Sequence, residues 1–194
     1  KSFNDFFTRA LKPGARPLAQ ADLVCPVDGA ISQFGRIRGN QIYQAKGHDY
    51  STRALVGGDA ELASRFDDGH FATLYLSPKD YHRIHVPLEG RVEAVSRVEG
   101  ELWPVNDAST GHVPRLYERN RRASWTALGT GACEGLEVAA VLVGATHVGG
   151  VVIDARWLEG RVLPKDGGRK VSHLPCTPGD DLGTFEFGST VVLL

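Results

Sequence analysis

Glycine constrains the fold of this chain more than any other residue type. Its 23 glycines are spread along all 194 residues, and the apolar segments between them are short. This spacing is typical of short strands joined by tight turns, because glycine adopts backbone conformations that other residues avoid. The sequence therefore predicts a mainly β, α+β fold: one compact domain over residues 1–194, made of many short antiparallel strands and a few short helices.

Segments in which apolar residues recur at every second position predict the individual strands. A hairpin is expected where Ile31–Ile37 and Gln41–Ala45 flank a tight Gly39-Asn40 turn. The other predicted strands are 71–76, 83–87, 91–98, 125–128, 138–143, 148–157, 184–187 and 190–194. Residues 138–143 and 148–157 are apolar almost throughout, which indicates burial on both faces. Prolines and glycines predict a loop from Leu163 to Asp181.

Two short helices are predicted from their end signals. Ser2-Phe3-Asn4-Asp5 can cap a helix that continues through Phe7 to Leu11 and ends at Pro13-Gly14. Asp59 is the expected N-cap of a second helix, which runs to Phe66 before Asp68-Gly69.

Composition excludes several classes of function. The formal net charge of −1 gives no overall basic field for nucleic acid, so we expect no nucleic-acid partner. Three cysteines without a CxxC spacing fit neither a disulfide framework nor a structural zinc site, and Cys25 and Cys133 are expected to be buried thiols. No apolar run approaches the roughly 18 residues of a membrane span. Because the chain begins at Lys1 and ends within an apolar run, we expect both termini to be truncated.

Three stretches carry residues capable of chemistry. Gly188-Ser189 lies between two predicted strands, where a strained turn would leave the glycine carbonyl open to the serine hydroxyl. On local composition alone this pair indicates an ordinary turn. His82 and His85 are three residues apart in a strand and so point to opposite faces, which predicts separate roles or a local distortion, and no shared metal. The alternative for each histidine is an ordinary, partly buried strand residue. Asp28 is either a turn residue or the carboxylate of a Ser-His-Asp group.

Together these stretches resemble the phosphatidylserine decarboxylase family. Phe187 stands where the family usually has leucine, and His147 where an apolar or amide residue is expected. The similar blocks follow the family's order along nearly the whole chain: Phe3-Asn4-Asp5-Phe6-Phe7, Pro26-Val27-Asp28-Gly29, Lys46-Gly47-His48-Asp49-Tyr50-Ser51, Leu76-Ser77-Pro78-Lys79-Asp80-Tyr81-His82-Arg83-Ile84-His85, Leu102-Trp103-Pro104-Val105-Asn106, Glu118-Arg119-Asn120, Val143-Gly144-Ala145-Thr146 and Gly188-Ser189-Thr190.

The resemblance implies a self-processing carboxy-lyase. Asp28 would orient His85, and His85 would take the proton of the Ser189 hydroxyl as it attacks the carbonyl of Gly188. Cleavage would give a large N-terminal and a small C-terminal chain, with Ser189 converted to a covalent pyruvoyl group. That group would accept electrons as phosphatidylserine loses carbon dioxide and becomes phosphatidylethanolamine. His82 would then protonate the carbon that has lost carbon dioxide.

The resemblance also implies a homodimer and a peripheral protein on the cytoplasmic side of the cell membrane. The candidate membrane contacts are the apolar residues of the opening helix and a group of arginines: Phe3, Phe6, Phe7, Leu11, Arg115, Arg119, Arg121 and Arg122. The alternative for these residues is a core-facing helix stripe and a solvated basic loop.

Three other functions stay open on the residues alone. Another pyruvoyl-dependent amino-acid decarboxylase would lack the block at residues 81–85. A Ser-His-Asp hydrolase would place its serine in a Gly-x-Ser-x-Gly elbow, which the sequence around Ser189 lacks. A non-enzymatic β-sandwich carrier or binding module would remain a single uncut chain.

Overall fold

The computed structural model describes residues 2–146, 150–159, 163, 169–186 and 189–194. Its strands are β1 Ala30–Arg36, β2 Gln41–Ala45, β3 His48–Ser51, β4 His70–Leu76, β5 Arg83–His85, β6 Gly90–Val98, β7 Arg122–Gly129, β8 Glu137–Val143, β9 Val151–Ile153, β10 Arg169–Val171, β11 Pro175–Cys176, β12 Asp181–Phe185 and β13 Ser189–Leu193. Its helices are α1 Phe3–Phe7, α2 Thr52–Leu55, α3 Ala60–Ser64, α4 Asp107–Thr110, α5 Leu116–Arg119 and α6 Ala155–Leu158.

Strand pairing in the described part of the chain is antiparallel, so the predicted fold class is confirmed. The large sheet has the order β1-β4-β13-β8-β7-β6-β10, and β11 also pairs with β6. A smaller sheet has the order β5-β12-β9, and β2 pairs with β3. One apolar core contains side chains of both the large sheet and the β5-β12-β9 sheet, while a second core includes side chains of β2, β3 and the short helices α2, α3 and α5.

Strand β13 belongs to both cores. Val191 packs in the core that includes β5 and β12, and Val192 packs in the second core. A strand buried on both faces reads as a continuous apolar run, as residues 191–194 do after the polar Ser189 and Thr190. Because side chains alternate along a strand, Ser189 faces the same side as Val191, toward the β5-β12-β9 sheet.

Both predicted helices begin where expected and end early. Ser2 and Asp5 form the capping box of α1, and Asp59 caps α3 by accepting from the Leu62 amide at 2.9 Å. Helix α1 stops at Phe7, not Leu11, with Thr8 as its C-cap, and the Arg9 side chain donates to the Phe6 carbonyl at 2.8 Å. That carbonyl is one that a further helical turn would need. Helix α3 ends at Ser64, two residues before the predicted end.

The predicted hairpin is wrong beyond its turn. Gly39 and Asn40 have positive φ values of 52° and 62° between the bridged residues Arg38 and Gln41, so the tight turn is confirmed. The strands on either side nevertheless pair elsewhere: β1 with β4, and β2 with β3. A long-range partner in the large sheet thus takes the hydrogen bonds of β1, and β2 instead forms a local hairpin with β3, the next strand along the chain.

Two other segment predictions need correction. Residues 148–157 are not one strand: β9 ends at Ile153, and Asp154 caps α6 through the Arg156 amide, which places Trp157 in the core. Val152 is 49% exposed, so β9 is not covered on both faces, whereas β8 is buried as expected. The predicted loop to Asp181 contains β10 and β11, because both pair with β6.

Of the two cysteines predicted to be buried, only one is buried. Cys133 is a buried free thiol as expected, but Cys25 is exposed, because it lies on the rim of a surface cavity. Among the helices of the described residues, none has the length and apolar character needed to cross a membrane.

Candidate active site

His85 ends β5, and both of its ring nitrogens have partners. Nδ1 lies 3.0 Å from the carbonyl oxygen of Gly179 and 3.2 Å from Oδ1 of Asp181. Nε2 lies 3.1 Å from the hydroxyl of Tyr81, whose ring stacks on the imidazole. Carbonyl and carboxylate oxygens only accept, so this network assigns the proton of the neutral ring to Nδ1. Nε2 is then the basic nitrogen and accepts from Tyr81.

Asp28 and His85 line the same cavity, which has a volume of about 490 Å³. The backbone brings them together: the His85 amide donates to the Pro26 carbonyl at 2.9 Å. Gly29 passes so close to β4 that a Cβ there would lie 2.7 Å from the Tyr75 carbonyl oxygen. The Asp28 carboxylate, however, accepts from Nε and Nη2 of Arg16 at 2.9 and 2.5 Å. In this structure its partner is therefore Arg16.

Ser189 is completely buried at the start of β13, directly opposite Leu76 of β4. Its Oγ has no hydrogen-bond partner within the described residues. Leaving a buried hydroxyl unpaired costs about 1–3 kcal/mol, so such a group needs an explanation. Phe187, Gly188 and hence the predicted cleavage bond lie outside the described residues, as does His147.

His82 precedes β5 in a drier environment. It is fully buried, with the Phe7 ring 4.1 Å from its own ring, and its Nδ1 lies 2.8 Å from the Asp80 carbonyl oxygen. That acceptor assigns the proton to Nδ1, so Nε2 carries a lone pair, and no partner for it is found in the part of the chain that the structure describes. Burial lowers the pKa of His82 below 6.5, which favours the neutral ring.

Strand β12 relates the two histidines to Ser189. It begins with Asp181 opposite His85 and ends with Phe185, whose amide donates to the His82 carbonyl at 2.9 Å. Four residues later comes Ser189. The chain thus passes His85 first and His82 second on its way to Ser189. In this arrangement no hydrogen bond joins Ser189, His85 and Asp28, and the roles assigned to them stay predictions.

Sequence reasoning missed Asp181 as a partner of His85. The sequence predicts residue 181 at the end of a loop, and no local signal relates it to a histidine 96 positions earlier. The relation comes from the register of β5 and β12, which sets the two residues opposite each other. Tyr81 belongs to a recognised block, but its hydroxyl contact with Nε2 likewise emerges only from the structure.

The arginines predicted as membrane contacts are engaged within the protein. The prediction of Arg122 as a surface contact is wrong. Arg122 is buried and donates to four backbone carbonyls, and these hydrogen bonds join β7 to α2 and α5. Burial lowers its pKa to about 10. Arg115, Arg119 and Arg121 form ion pairs with Glu118, Glu101 and Glu99 respectively.

The phenylalanines of α1, which were also predicted to contact the membrane, differ in burial. Phe7 is buried against His82 and is therefore a core residue, not a membrane contact. Phe3 and Phe6 are each 62% exposed.

Comparison with known proteins identifies the family. The family model described as phosphatidylserine decarboxylase matches residues 3–194. The phosphatidylserine decarboxylase proenzyme of Methylibium petroleiphilum is 55% identical over 203 residues, covering 99% of this chain and 68% of the relative. Those of Variovorax paradoxus and an Azoarcus species are 56% and 50% identical, covering all of this chain and 68% and 67% of the relatives. This chain belongs to the phosphatidylserine decarboxylase family.

Proposed function

We propose that this chain decarboxylates phosphatidylserine to phosphatidylethanolamine, using a pyruvoyl group made from its own Ser189. Family membership and the proenzyme relatives support the substrate and the existence of a precursor. The observation in this chain that carries the proposal is the buried Ser189 hydroxyl without a partner. Residue 189 fits a pyruvoyl group, because a keto oxygen has no proton to donate and would leave no buried donor unpaired.

Processing begins with proton transfer to His85. As Nε2 takes the Ser189 hydroxyl proton, Oγ attacks the carbonyl carbon of Gly188, an ester bond forms and the amide bond breaks, leaving an amine on residue 189. Loss of the Cα proton then expels the Gly188 carboxylate, and hydrolysis of the resulting dehydroalanine releases ammonia. His85 suits the first step, since its assigned tautomer makes Nε2 the basic nitrogen, whose present partner is the Tyr81 hydroxyl.

His82 is the residue proposed to transfer protons during turnover. When present, the pyruvoyl group supplies the electron sink for the bond to carbon dioxide. The substrate's ammonium group must first lose a proton, and the Nε2 lone pair of His82 is a dry acceptor for it. The same nitrogen can return a proton to the carbon that loses carbon dioxide. Phe7 excludes water from this ring.

The cavity beside His85 suits a phospholipid. Much of its wall is apolar, and Arg16 is the one arginine or lysine among the described residues that line it. An apolar wall matches the acyl chains of a lipid, while Arg16 is already paired with the Asp28 carboxylate in the same cavity. The apolar side chains that contribute to the wall include Leu11, Leu18, Leu23 and Val24.

Replacing Ser189 tests the proposal. Ser189→Ala should leave one uncut chain that releases no carbon dioxide from phosphatidylserine, whereas the parent gives two chains by intact mass. Ser172→Ala is the matched control, since Ser172 is another buried serine whose Oγ lacks a partner in the described structure. Cleavage that persists in Ser189→Ala would refute the proposal. Release of carbon dioxide from free aspartate or histidine instead would favour another pyruvoyl decarboxylase.

We also propose that the protein is a homodimer bound peripherally to the cytoplasmic side of the cell membrane. Exposed Phe3 and Phe6 of α1, and exposed Leu18 and Leu23 at the cavity, support contact with lipid acyl chains. Flotation with anionic liposomes should recover the parent, and Phe3→Ser/Phe6→Ser should float less. Equal flotation of the two would exclude α1 as the contact. Sedimentation velocity tests the dimer.

A further inference from the structure

We propose that Arg9 is a substrate-binding residue that holds the phosphate of phosphatidylserine beside His82. The inference rests on the proposed function, in which His82 transfers protons at the carbon that loses carbon dioxide. In phosphatidylserine only an oxygen and a methylene group separate the phosphate from that carbon. A residue that binds the phosphate must therefore lie close to His82.

The first observation is the position of Arg9. The two residues before it contact the histidine block: the centre of the Phe7 ring lies 4.1 Å from that of His82, and the Thr8 carbonyl accepts from Nε of Arg83 at 3.0 Å. The chain thus brings Arg9 to His82, although the two are far apart in the sequence. Besides burial, the positive charge of Arg9 lowers the pKa of His82, whereas Asp80 raises it.

The second observation is that Arg9 has no carboxylate partner among the described residues. Its Nη1 donates to the Phe6 carbonyl at 2.8 Å, and its Cζ lies 4.4 Å from the centre of the exposed Phe6 ring. Arg83 instead pairs with Asp181, and Arg16 is occupied by the carboxylate described above. The contacts with Phe6 hold the Arg9 guanidinium and leave its other N–H groups for a ligand. The planar fork of these groups matches a phosphate.

The chemistry of the reaction selects the phosphate of the substrate and not its carboxylate. The carboxylate loses its charge as carbon dioxide leaves, so an arginine bound to it would stabilise the substrate more than the transition state and slow the reaction. The phosphate keeps its charge throughout, and an arginine bound to it can orient the substrate without opposing the reaction. The exposed Phe6 ring beside the guanidinium fits this assignment, because apolar side chains of a peripheral helix enter the membrane near the level of the head groups.

The first test uses dihexanoyl phosphatidylserine, which dissolves as single molecules and needs no membrane. With activity normalised to the processed fraction, Arg9→Gln should raise KM about 10–100-fold, the effect of losing a hydrogen bond to a charged group, and should change kcat little. Dihexanoyl phosphatidylethanolamine should inhibit this variant less well by the same factor, because the product keeps the phosphate. Arg9→Lys should recover part of the affinity, since it keeps the charge but loses the fork. Lys12→Gln is the matched control, because it removes one charge from the same exposed segment.

Three results of this test would overturn the inference. The first is an unchanged KM in Arg9→Gln. The second is a raised KM with unchanged inhibition by phosphatidylethanolamine, which would assign Arg9 to the carboxylate. The third is loss of self-cleavage in both Arg9→Gln and Arg9→Lys, which would show by intact mass that Arg9 maintains the fold. Failure of the proposed function is seen separately, as cleavage in Ser189→Ala or as a parent that releases no carbon dioxide.

The second test needs no activity. In the uncut Ser189→Ala protein, NMR titration reports the pKa of His82, which should rise in Arg9→Gln and not in Lys12→Gln, because the charge of Arg9 acts on this ring. Flotation with anionic liposomes should be equal for the two variants, since each removes one positive charge. An unchanged pKa of His82 in Arg9→Gln would overturn the inference. Weaker flotation of Arg9→Gln with an unchanged KM would also overturn it, because the ligand of Arg9 would then be the bulk lipid.

Discussion

His82 and His85 are separated by two residues but differ in almost every physical respect. His82 is fully buried, lies against Phe7 and has an Nε2 without a partner among the described residues. His85 borders an open cavity, and both of its ring nitrogens contact polar groups. Yet each ring has a carbonyl acceptor at Nδ1, so both histidines present Nε2 as the basic nitrogen.

The difference shows how neighbouring residues of one type acquire different chemistry. In His82 the surroundings act by excluding water, which lowers its pKa and keeps it neutral. In His85 they act by direct contacts, which fix the ring and its tautomer. The first arrangement suits a group that accepts and returns a proton in a closed site. The second suits a base that must be aimed at one hydroxyl.

The largest expected effect comes from removing His85. His85→Ala should accumulate as intact precursor, with processing slowed on the order of 10⁴-fold or more, because the variant lacks the base proposed to take the Ser189 proton. Intact mass of purified protein measures the uncut fraction. Two fragments in His85→Ala would show that the comparison assigns the wrong histidine to processing.

Removing His82 should have a smaller and different effect. His82→Ala should still cut itself into two chains, but release carbon dioxide from phosphatidylserine about 10²–10⁴-fold more slowly, the usual loss for a general acid–base group. Carbon dioxide release normalised to the processed fraction is the measurement, and His82→Gln controls for loss of volume. If His82→Ala stays uncut, the separation of roles between the two histidines fails.

The smallest effect is on stability. Burial lowers the pKa of His82, so as pH falls from 7.5 the unfolded chain binds a proton near pH 6.5 before the folded one does. The contribution of neutral His82 to the free energy of unfolding is thus complete above pH 6.5. It is lost as the pH falls through the lower pKa of His82 in the folded protein. Denaturant unfolding of Ser189→Ala should give a free energy of unfolding that declines over this range, and adding His82→Gln should weaken the decline. An identical pH dependence in both proteins would contradict the dry environment of His82.

Local features of the fold could be predicted from the sequence. Ser2-Asp5 and Asp59 mark helix starts, Gly39-Asn40 marks a turn, and residues 138–143 mark a buried strand. Each depends on contacts within a few residues, such as a cap to a nearby amide or a side-chain period of two. The partner of β1 could not be found in this way, because any antiparallel neighbour satisfies the same hydrogen bonds and the long-range contacts with β4 make the choice.

The features of the candidate site also separate into those that the sequence predicts and those that depend on the tertiary structure. The sequence by itself determined the residue types and their order: a serine after glycine, two histidines three residues apart, and blocks that resemble one family. Only the tertiary structure decided the surroundings of those residues. It buried His82 beneath Phe7, set Asp181 opposite His85 and bound Asp28 to Arg16. Proton position and basicity depend on groups within a few ångströms in space, and strand register brings together residues nearly a hundred positions apart in the chain.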